Sequence, residues 1–406
     1  MAKKKKRNNK WMRYRHRVVR NILSVTLGTY SKIKYGIKIE RFAEQEDRPY
    51  LILLNHQTGF DQFFVGMAFK GPVYYLASED IFSMGFVSSI IRFLVAPIPI
   101  KKQTTDVRAI LNCIKVAKEG GTIAIAPEGN RTYSGKTTYM SPSIVPLAKK
   151  LGLPIALFRI EGGYGVQPRW SDVVRKGKMK AYVSRVIYPE EYSKMDDDAL
   201  FTLIEDGLFV DESLPDGEFI HKKSAEYLER ALYVCPFCGL STFESNGDKL
   251  ECKRCQRVFK YTSRKEIVGE GFESPFSSVA AWYDYQSEYM NSLDTLADLD
   301  KALYDECADL YEVIPCKNKE LIQKGARIRL FGDRIVINTD GEELLFPFES
   351  TSAVTVLGKN KLNIYGRDKI YQLKGNKRFN ALKYLHVFHR CRNILKGDKN
   401  EQFLGL

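Results

Sequence analysis

The chain has 406 residues, 44% hydrophobic and 28% charged, a composition typical of a folded protein with two or three domains. A membrane-spanning helix needs about 20 uncharged apolar residues. The most apolar stretch, residues 81–100, carries Arg92 and two prolines and is therefore excluded as a membrane-spanning helix. The formal charge is +14, and thirteen Lys or Arg precede Glu40, the first acidic residue. The rest of the chain has 50 basic and 49 acidic residues, which predicts a nearly neutral body with a cationic arm.

Residues 1–40 form this arm, in which apolar residues recur at spacings of three and four between Trp11 and Leu27. This pattern predicts an amphipathic helix, and a basic helix with Trp at its start suits an anionic membrane surface. The alternatives are nucleic-acid binding and a solvated tail. We favour the membrane and expect no nucleic-acid partner. Since no export signal is evident, we expect a cytoplasmic protein at the inner face of the cell membrane.

Residues 49–190 alternate short apolar runs with helical patterns, which predicts an α/β domain, bounded at 41–205, whose active groups lie at strand ends. The predicted strands are PYLILL, PVYYLA, APIPI, GTIAIA, LPIALF and KMKAYVSRVIY, and the predicted helices are 59–69, 82–94, 104–118 and 142–151. The predicted later parts are a helical linker (206–232), a zinc ribbon (233–260), a helical segment (261–322), a small β-rich domain with a C-terminal helix (323–396) and a tail (397–406).

A candidate catalytic pair follows the first of these strands. The strand LILL runs into NHQTGFD, where Asp61 follows His56 by five residues. Histidine suits proton transfer near neutrality, and a carboxylate on its other ring nitrogen fixes the tautomer. Without a Ser or Cys in nucleophile context, the pair favours direct acyl transfer to a hydroxyl. His56 then lies in the turn before a helix capped by Thr58; alternatively, Asp61 only satisfies backbone N–H groups, as in a capping box.

Two further strand ends carry groups suited to a phosphate. GTIAIA is followed by PEGNRT, in which Gly129 lets the backbone approach a ligand and Arg131 presents a bidentate fork. Lys101 and Lys102 follow APIPI. The alternatives are an ion pair between Arg131 and Glu128 and ordinary solvation of the two lysines.

The segments NHQTGFD, IPIKK, APEGNRT and LGLPIAL resemble, in order and spacing, the four blocks of the glycerolipid acyltransferase family, which includes the 1-acylglycerol-3-phosphate acyltransferases. The resemblance covers residues 35–190. It implies that His56 is the general base, that Asp61 orients it, and that Pro154 belongs to the acyl side. The substrate-binding residues are then Asn55, Lys101, Lys102, Glu128, Gly129 and Arg131. The family's second block usually has Asp-Arg, so Lys102 replaces an arginine and lacks its fork.

The activity implied by this resemblance is transfer of a fatty acyl group from an acyl thioester, on coenzyme A or acyl carrier protein, to a lysophospholipid hydroxyl. The foremost acceptor is 1-acylglycerol-3-phosphate, which gives phosphatidate. The alternatives are another lysolipid or glycerol-phosphate acceptor, and a membrane-binding adaptor without turnover.

Four cysteines form paired CxxC motifs with thirteen residues between them: Cys235, Cys238, Cys252 and Cys255. This spacing predicts a zinc ribbon, and four protein ligands leave no position for water, so the zinc is expected to be structural. The alternatives are iron in the same ligand set and two disulfides, which a chain without an export signal disfavours. We expect the ribbon to support the fold or dock a protein partner. The other cysteines are expected to be buried thiols: Cys113, Cys307, Cys316 and Cys391.

The C-terminal pattern of six or seven short strands and a closing helix resembles a pleckstrin-homology domain. A lipid-headgroup patch is one interpretation of its cations, Lys359, Lys361, Arg367, Lys369 and Lys374. A protein-docking module is the other interpretation. His386 and His389, on the closing helix, are expected to be packing or surface residues rather than ligands.

Overall fold

The computed structural model describes residues 11–43, 49–83, 85–100, 106–137, 139–213, 216–314, 317–397 and 403–405. Lys101, Lys102 and Cys316 lie outside the described residues, as do the first ten residues of the arm. The chain divides into two compact units. Unit 1 comprises Met1–Gly129, Met140–Ile160 and Lys180–Phe209, and unit 2 comprises Asn130–Tyr139, Glu161–Met179 and Val210–Leu406.

The helices of the described residues are α1 (Tyr14–Tyr35), α2 (Asp61–Ala68), α3 (Phe86–Val95), α4 (Val107–Lys118), α5 (Ile144–Leu151), α6 (Gly163–Val166), α7 (Pro189–Tyr192), α8 (Asp197–Leu208), α9 (Val279–Ser292) and α10 (Leu382–Leu395). The strands are β1 (Ile37–Ile39), β2 (Leu51–Leu54), β3 (Val73–Ser78), β4 (Ile98–Ile100), β5 (Thr122–Ile125), β6 (Ile155–Glu161), β7 (Met179–Ile187), β8 (Val234–Cys235), β9 (Gly239–Leu240), β10 (Phe243–Asn246), β11 (Lys249–Cys252), β12 (Val258–Tyr261), β13 (Ile267–Gly269), β14 (Tyr304–Val313), β15 (Lys319–Leu330), β16 (Arg334–Asn338), β17 (Glu343–Pro347), β18 (Ala353–Leu357), β19 (Lys361–Tyr365) and β20 (Ile370–Gly375).

Unit 1 is built on a seven-stranded sheet with the order β1-β7-β6-β2-β5-β3-β4. The central strand β2 is parallel to both of its neighbours, with Leu51 opposite Ile123 of β5 and Ile155 of β6. All four β2 residues are buried, as expected for a parallel strand covered on both faces. Because these strands are parallel, their carboxyl ends meet at one edge, where ligands bind in open α/β sheets.

The six strands predicted for this region correspond to β2–β7, so the α/β prediction is confirmed. The helix predicted at 82–94 is instead divided into a 3₁₀ turn at Glu79–Ser83 and α3. Gly85 lies between them with φ of 59°, a conformation that ends a right-handed helix.

Helix α1 begins three residues after Trp11, whose indole Nε1 donates to the Ala96 carbonyl 3.0 Å away. Trp11 is thus bound to the body of unit 1. The exposed apolar side chains of α1 recur at helical spacing, at Tyr14, Val18, Ile22 and Val25. Helix α3 exposes a similar set, Phe86, Val87, Ile90 and Phe93. Arg15 connects the two helices, since its Nε donates to the Phe93 carbonyl at 2.8 Å. Within the described residues, none of the helices combines the length and hydropathy needed to cross a bilayer.

The described residues of unit 2 form three antiparallel arrangements of strands. β8 and β9 form a hairpin, and β10–β13 form a four-stranded sheet in chain order. The third sheet has the order β17-β16-β15-β14-β20-β19-β18. Helix α10 packs on this sheet, and the rings of Phe348 and Phe388 meet edge to face at 5.4 Å. Seven strands and a closing helix therefore form the predicted β-rich region.

Two helical predictions differ from the structure. In 206–232, α8 ends at Leu208, and the described remainder has only a 3₁₀ turn at Leu228–Arg230. Tyr227 has φ of 73°, which a right-handed helix does not allow. Among the described residues of 261–322, only α9 is helical, and β14 begins the seven-stranded sheet well before residue 323. The apolar residues of β14 recur at helix-like spacings of three and four, but pairing with β15 and β20 makes it a strand.

Candidate functional site

The residues His56 and Asp61 meet at the carboxyl end of β2. His56 Nδ1 lies 2.8 Å from Asp61 Oδ2. The His56 side chain is 28% exposed, whereas that of Asp61 is 1% exposed. As the spacing predicts, His56 lies in the turn before α2, and Asp61 is the first residue of the helix. The arrangement presents an accessible imidazole backed by a buried carboxylate.

Asp61 also organises the turn around itself. Its carboxylate accepts hydrogen bonds from the backbone N–H groups of Gln57 and Thr58 at 2.7 and 2.9 Å. The Thr58 hydroxyl donates to Oδ1 at 2.7 Å, so Thr58 supports Asp61 instead of capping α2, whose N-cap is Phe60. Asp61 thus makes both contacts considered from the sequence: it accepts from backbone N–H groups, and it contacts His56. Because carboxylate oxygens only accept, His56 Nδ1 is the donor in its contact with Asp61.

Two other strand ends fix the backbone at His56. The Glu128 carboxylate, after β5, accepts from the His56 N–H with Oε1 2.8 Å from the nitrogen. The buried Asn55 side chain exchanges two 2.8 Å hydrogen bonds with the backbone of Ile160 on β6. Both residues are assigned to substrate binding from sequence. In the structure Glu128 contacts the backbone of His56, and Asn55 connects the neighbouring backbone to β6.

The other described residues assigned from the family resemblance, Gly129, Arg131 and Pro154, lie in different parts of the structure. Gly129 has φ of 65°, and a Cβ added there would meet no atom within 4 Å, so the open space suits close approach of a ligand. Arg131 belongs to unit 2, where its carbonyl accepts from Arg169 at 2.9 Å. Pro154 precedes β6, and its carbonyl accepts from the Leu51 N–H at 2.9 Å, which aligns β2 and β6.

The four cysteines of the CxxC pairs converge in unit 2. The sulfur atoms of Cys235, Cys238, Cys252 and Cys255 all lie within 4.8 Å of one another. Gly239 and Gln256, which directly follow the two pairs, have φ of 77° and 60°, so both pairs end in the same left-handed turn. The two CxxC pairs therefore end in the same backbone conformation, and their four sulfur atoms together could hold a metal ion.

The sulfur separations fit a tetrahedral ion better than a disulfide. Cys235 Sγ lies 3.7 Å from Cys255 Sγ, and Cys238 Sγ lies 3.6 Å from Cys252 Sγ. A disulfide requires about 2.0 Å between its sulfurs. Four thiolates about 2.3 Å from a zinc ion at the centre of a tetrahedron lie about 3.8 Å apart. The donor set and its spacing fit zinc, and the disulfide alternative is excluded in this arrangement.

The cations suggested for lipid headgroups are partly engaged within unit 2. Lys359 Nζ donates to the Ser171 carbonyl at 2.6 Å and to Asp172 Oδ1 at 2.8 Å. Lys369 Nζ lies 2.9 Å from Glu312 Oε2. These ion pairs weaken the interpretation of the five residues as a headgroup patch.

Comparisons with known proteins match part of the chain to acyltransferases. The Acyltransferase family model matches residues 37–160. The chloroplastic 1-acyl-sn-glycerol-3-phosphate acyltransferase of Brassica napus is 21% identical over 182 residues, which is 44% of this chain and 52% of the plant protein. The chain thus spans about half the length of that curated relative. A crystal structure of the 1-acyl-sn-glycerophosphate acyltransferase of Thermotoga maritima is similar with 22% identity and a TM-score of 0.41, covering 48% of this chain and 80% of that one. The family match and the plant relative support an acyltransferase region within residues 37–160.

Proposed function

We propose that the chain transfers a fatty acyl group from an acyl thioester to the hydroxyl of 1-acylglycerol-3-phosphate. The observation that carries the proposal is the 2.8 Å contact of His56 Nδ1 with the buried Asp61 carboxylate. The side chain of His56 is accessible, and its Nε2 is the available base.

The reaction proceeds by general-base catalysis. Nε2 of His56 takes the proton of the acceptor hydroxyl while the oxygen attacks the thioester carbonyl. The C–O bond forms, the tetrahedral intermediate collapses with cleavage of the C–S bond, and His56 returns the proton to the thiolate. Asp61 holds the tautomer and stabilises the imidazolium that forms between these steps.

The acceptor side is proposed from the residues of the second and third blocks. Arg131 binds the phosphate through its fork, Gly129 lets the backbone approach, and Lys101 and Lys102 add positive charge. Glu128 acts here through the backbone of His56. The acyl donor is coenzyme A or acyl carrier protein.

We propose that the enzyme works at an anionic membrane surface as a peripheral protein. The exposed apolar stripes of α1 and α3 support this, because contiguous exposed apolar side chains mark interaction surfaces. Basic residues accompany the apolar stripe, including Arg17 and Lys34 on α1 and Arg13 directly before it. This combination suits insertion at the boundary of headgroups and acyl chains.

We propose that the four cysteines hold a structural zinc ion, as a zinc ribbon, and that the seven-stranded sheet with α10 is a pleckstrin-homology-like module. Four thiolates fill the coordination of the ion, so it contributes to folding. The module is supported by its strand number and closing helix, and it begins at β14. A protein partner is its proposed ligand, because Lys359 and Lys369 are ion-paired within unit 2.

The activity is tested with the purified full chain, anionic liposomes, labelled acyl-coenzyme A and a panel of acceptors. We expect phosphatidate to form from lysophosphatidate, and Arg131→Ala to raise the KM for that acceptor by about tenfold or more while monoacylglycerol, which has no phosphate, is unaffected. Transfer to a different lysolipid would correct the acceptor. If no acceptor is acylated, either with acyl-coenzyme A or in a repeat with the acyl carrier protein thioester, and liposome binding is intact, the chain would be a membrane-binding adaptor rather than an enzyme.

A further inference from the structure

The residues around Arg131 belong to unit 2 and form hydrogen bonds with other residues of that unit. Segment Asn130–Tyr139 belongs to this unit together with the zinc-binding and β-rich regions. Thr137 fixes one part of the segment, because its Oγ1 accepts from the Val210 N–H at 2.8 Å. The backbone of Gly135 fixes another part by accepting from the Glu212 N–H at 2.9 Å. The position of Arg131 therefore depends on contacts supplied by unit 2.

Arg169 contacts the backbone of Arg131 directly. Its guanidinium is buried, with 3% of the residue exposed, and its NH1 donates to the Arg131 carbonyl at 2.9 Å. The same guanidinium lies over the Tyr133 ring, 4.3 Å from the centroid. Its Nε points to the carbonyl of Gly358, in the turn between β18 and β19, at 3.4 Å. One side chain thus bridges the Arg131 segment and the C-terminal sheet.

The β18–β19 turn is itself fixed beside Arg169. Lys359 Nζ reaches both Ser171 and Asp172 from this turn. Arg230 NH1 donates to the same Asp172 Oδ1 and to the Trp170 carbonyl, both at 2.8 Å. Burial raises the pKa of Asp172, but the hydrogen bonds and charges of Arg230 and Lys359 outweigh it and lower that pKa to about 2. The carboxylate that anchors the turn is therefore ionised at neutral pH.

We propose that Arg169 is a positioning residue for acceptor binding: it fixes the backbone of Arg131 and connects that segment to the β18–β19 turn of the C-terminal sheet. The C-terminal region then serves the reaction by supporting the acceptor-binding arginine. This inference rests on the proposed role of Arg131 in holding the acceptor phosphate. Lysine is a poor substitute for Arg169, because it lacks the planar fork that donates in two directions while stacking on Tyr133.

The test compares Arg169→Ala and Arg169→Lys in the full chain with a matched control, Arg378→Ala. Arg378 also bridges parts of unit 2, since its NH1 donates to Glu229 Oε1 at 2.5 Å and to the Ser245 carbonyl at 2.9 Å. Two readouts are measured: amide hydrogen exchange of peptides from 130–137, and steady-state kinetics with lysophosphatidate and acyl-coenzyme A.

Both Arg169 variants should speed exchange in 130–137 by about tenfold. They should raise the acceptor KM by about tenfold, and leave kcat and the donor KM within about twofold. Arg378→Ala should leave the exchange of 130–137 and the acceptor KM unchanged. Unchanged exchange in the Arg169 variants would overturn the proposal, as would faster exchange without a change in the acceptor KM. A uniform loss of kcat that follows the fraction of folded protein would show a merely structural role and would also overturn it.

A double-mutant cycle separates this inference from the proposed function. If Arg169 acts through Arg131, then Arg169→Ala should add less than about twofold to the acceptor KM in an Arg131→Ala background. Full additivity would show that Arg169 does not act through Arg131. If Arg131→Ala alone leaves the acceptor KM unchanged, the proposed role of Arg131 fails and the positioning role fails with it, even when the exchange result confirms the contact.

Discussion

The Glu128 carboxylate accepts a hydrogen bond from the backbone N–H of His56, with Oε1 2.8 Å from the nitrogen, across 72 residues of sequence. Glu128 is 9% exposed, so water cannot readily replace it as the acceptor. The contact connects the end of β5 to the end of β2 and fixes the turn that presents the imidazole.

Two substitutions of Glu128 distinguish the effect of its hydrogen bond to the His56 backbone from an effect of its negative charge. Glu128→Ala leaves the His56 N–H without its acceptor, so we expect a loss of about 1–3 kcal/mol in unfolding free energy and a fall in kcat of at least about tenfold. Glu128→Gln keeps a carbonyl oxygen at the same place and should retain most of the activity. Chemical denaturation and steady-state kinetics measure both effects. If Gln were as damaging as Ala, the charge of Glu128 would matter more than the backbone contact.

The exposed stripe of α1 should govern membrane binding. Ile22 is 58% exposed, and inserting one isoleucine into the bilayer is worth about 1.5–3 kcal/mol. Ile22→Glu should therefore weaken sedimentation with anionic liposomes by about tenfold or more. Leu345 of unit 2 is 54% exposed, and Leu345→Glu serves as the control with unchanged binding. Equal liposome binding by wild type and Ile22→Glu would contradict the proposal that α1 contacts the membrane.

The cysteine cluster should hold about one zinc ion per chain, measured by elemental analysis of protein purified without added metal. Cys238→Ser should lose most of the zinc and lower the melting temperature, because binding of a structural ion contributes to folding. Cys307 is exposed, so the prediction of a buried thiol was wrong there, and it provides the control. Cys307→Ser should keep the full zinc content. Iron instead of zinc, or no metal in a folded wild type, would contradict the assignment.

His386 should contribute to acid sensitivity of unit 2. Burial, with a smaller effect from the nearby His389, lowers the pKa of His386 from 6.5 to about 3. The unfolded chain therefore binds a proton below pH 6.5 that the folded chain does not, so the stability present above pH 6.5 is lost progressively as pH falls toward 3. His386→Gln removes this group and should flatten the plot of unfolding free energy against pH between about 6.5 and 4.

The same substitution should cost stability at pH 7.5. His386 Nδ1 lies 2.6 Å from the Tyr233 hydroxyl, and loss of a buried partner costs about 1–3 kcal/mol. Urea unfolding at several pH values measures both effects. A slope identical to that of the wild type would show that His386 does not titrate on unfolding.

The parts of the site that could be predicted from sequence are local. His56 and Asp61 are five residues apart, so their contact follows from one turn, and the CxxC spacing likewise brings the sulfurs together in pairs. The contact of Glu128 with His56 depends on which strands are neighbours in the sheet, and that of Arg169 with Arg131 depends on packing within unit 2. Neither can be derived from residue spacing. The helical prediction over β14 failed for the same reason, because partner strands decide its conformation.

The most direct measurement of the central claim is turnover by His56→Ala in the liposome assay with lysophosphatidate and labelled acyl-coenzyme A. We expect kcat to fall by about 10²–10⁴, the usual contribution of a general base, with melting temperature and liposome binding unchanged. His221 is a half-buried histidine of unit 2, and His221→Ala should retain wild-type turnover. Full activity in His56→Ala would contradict general-base catalysis by this histidine and the catalytic role proposed for the His56–Asp61 pair.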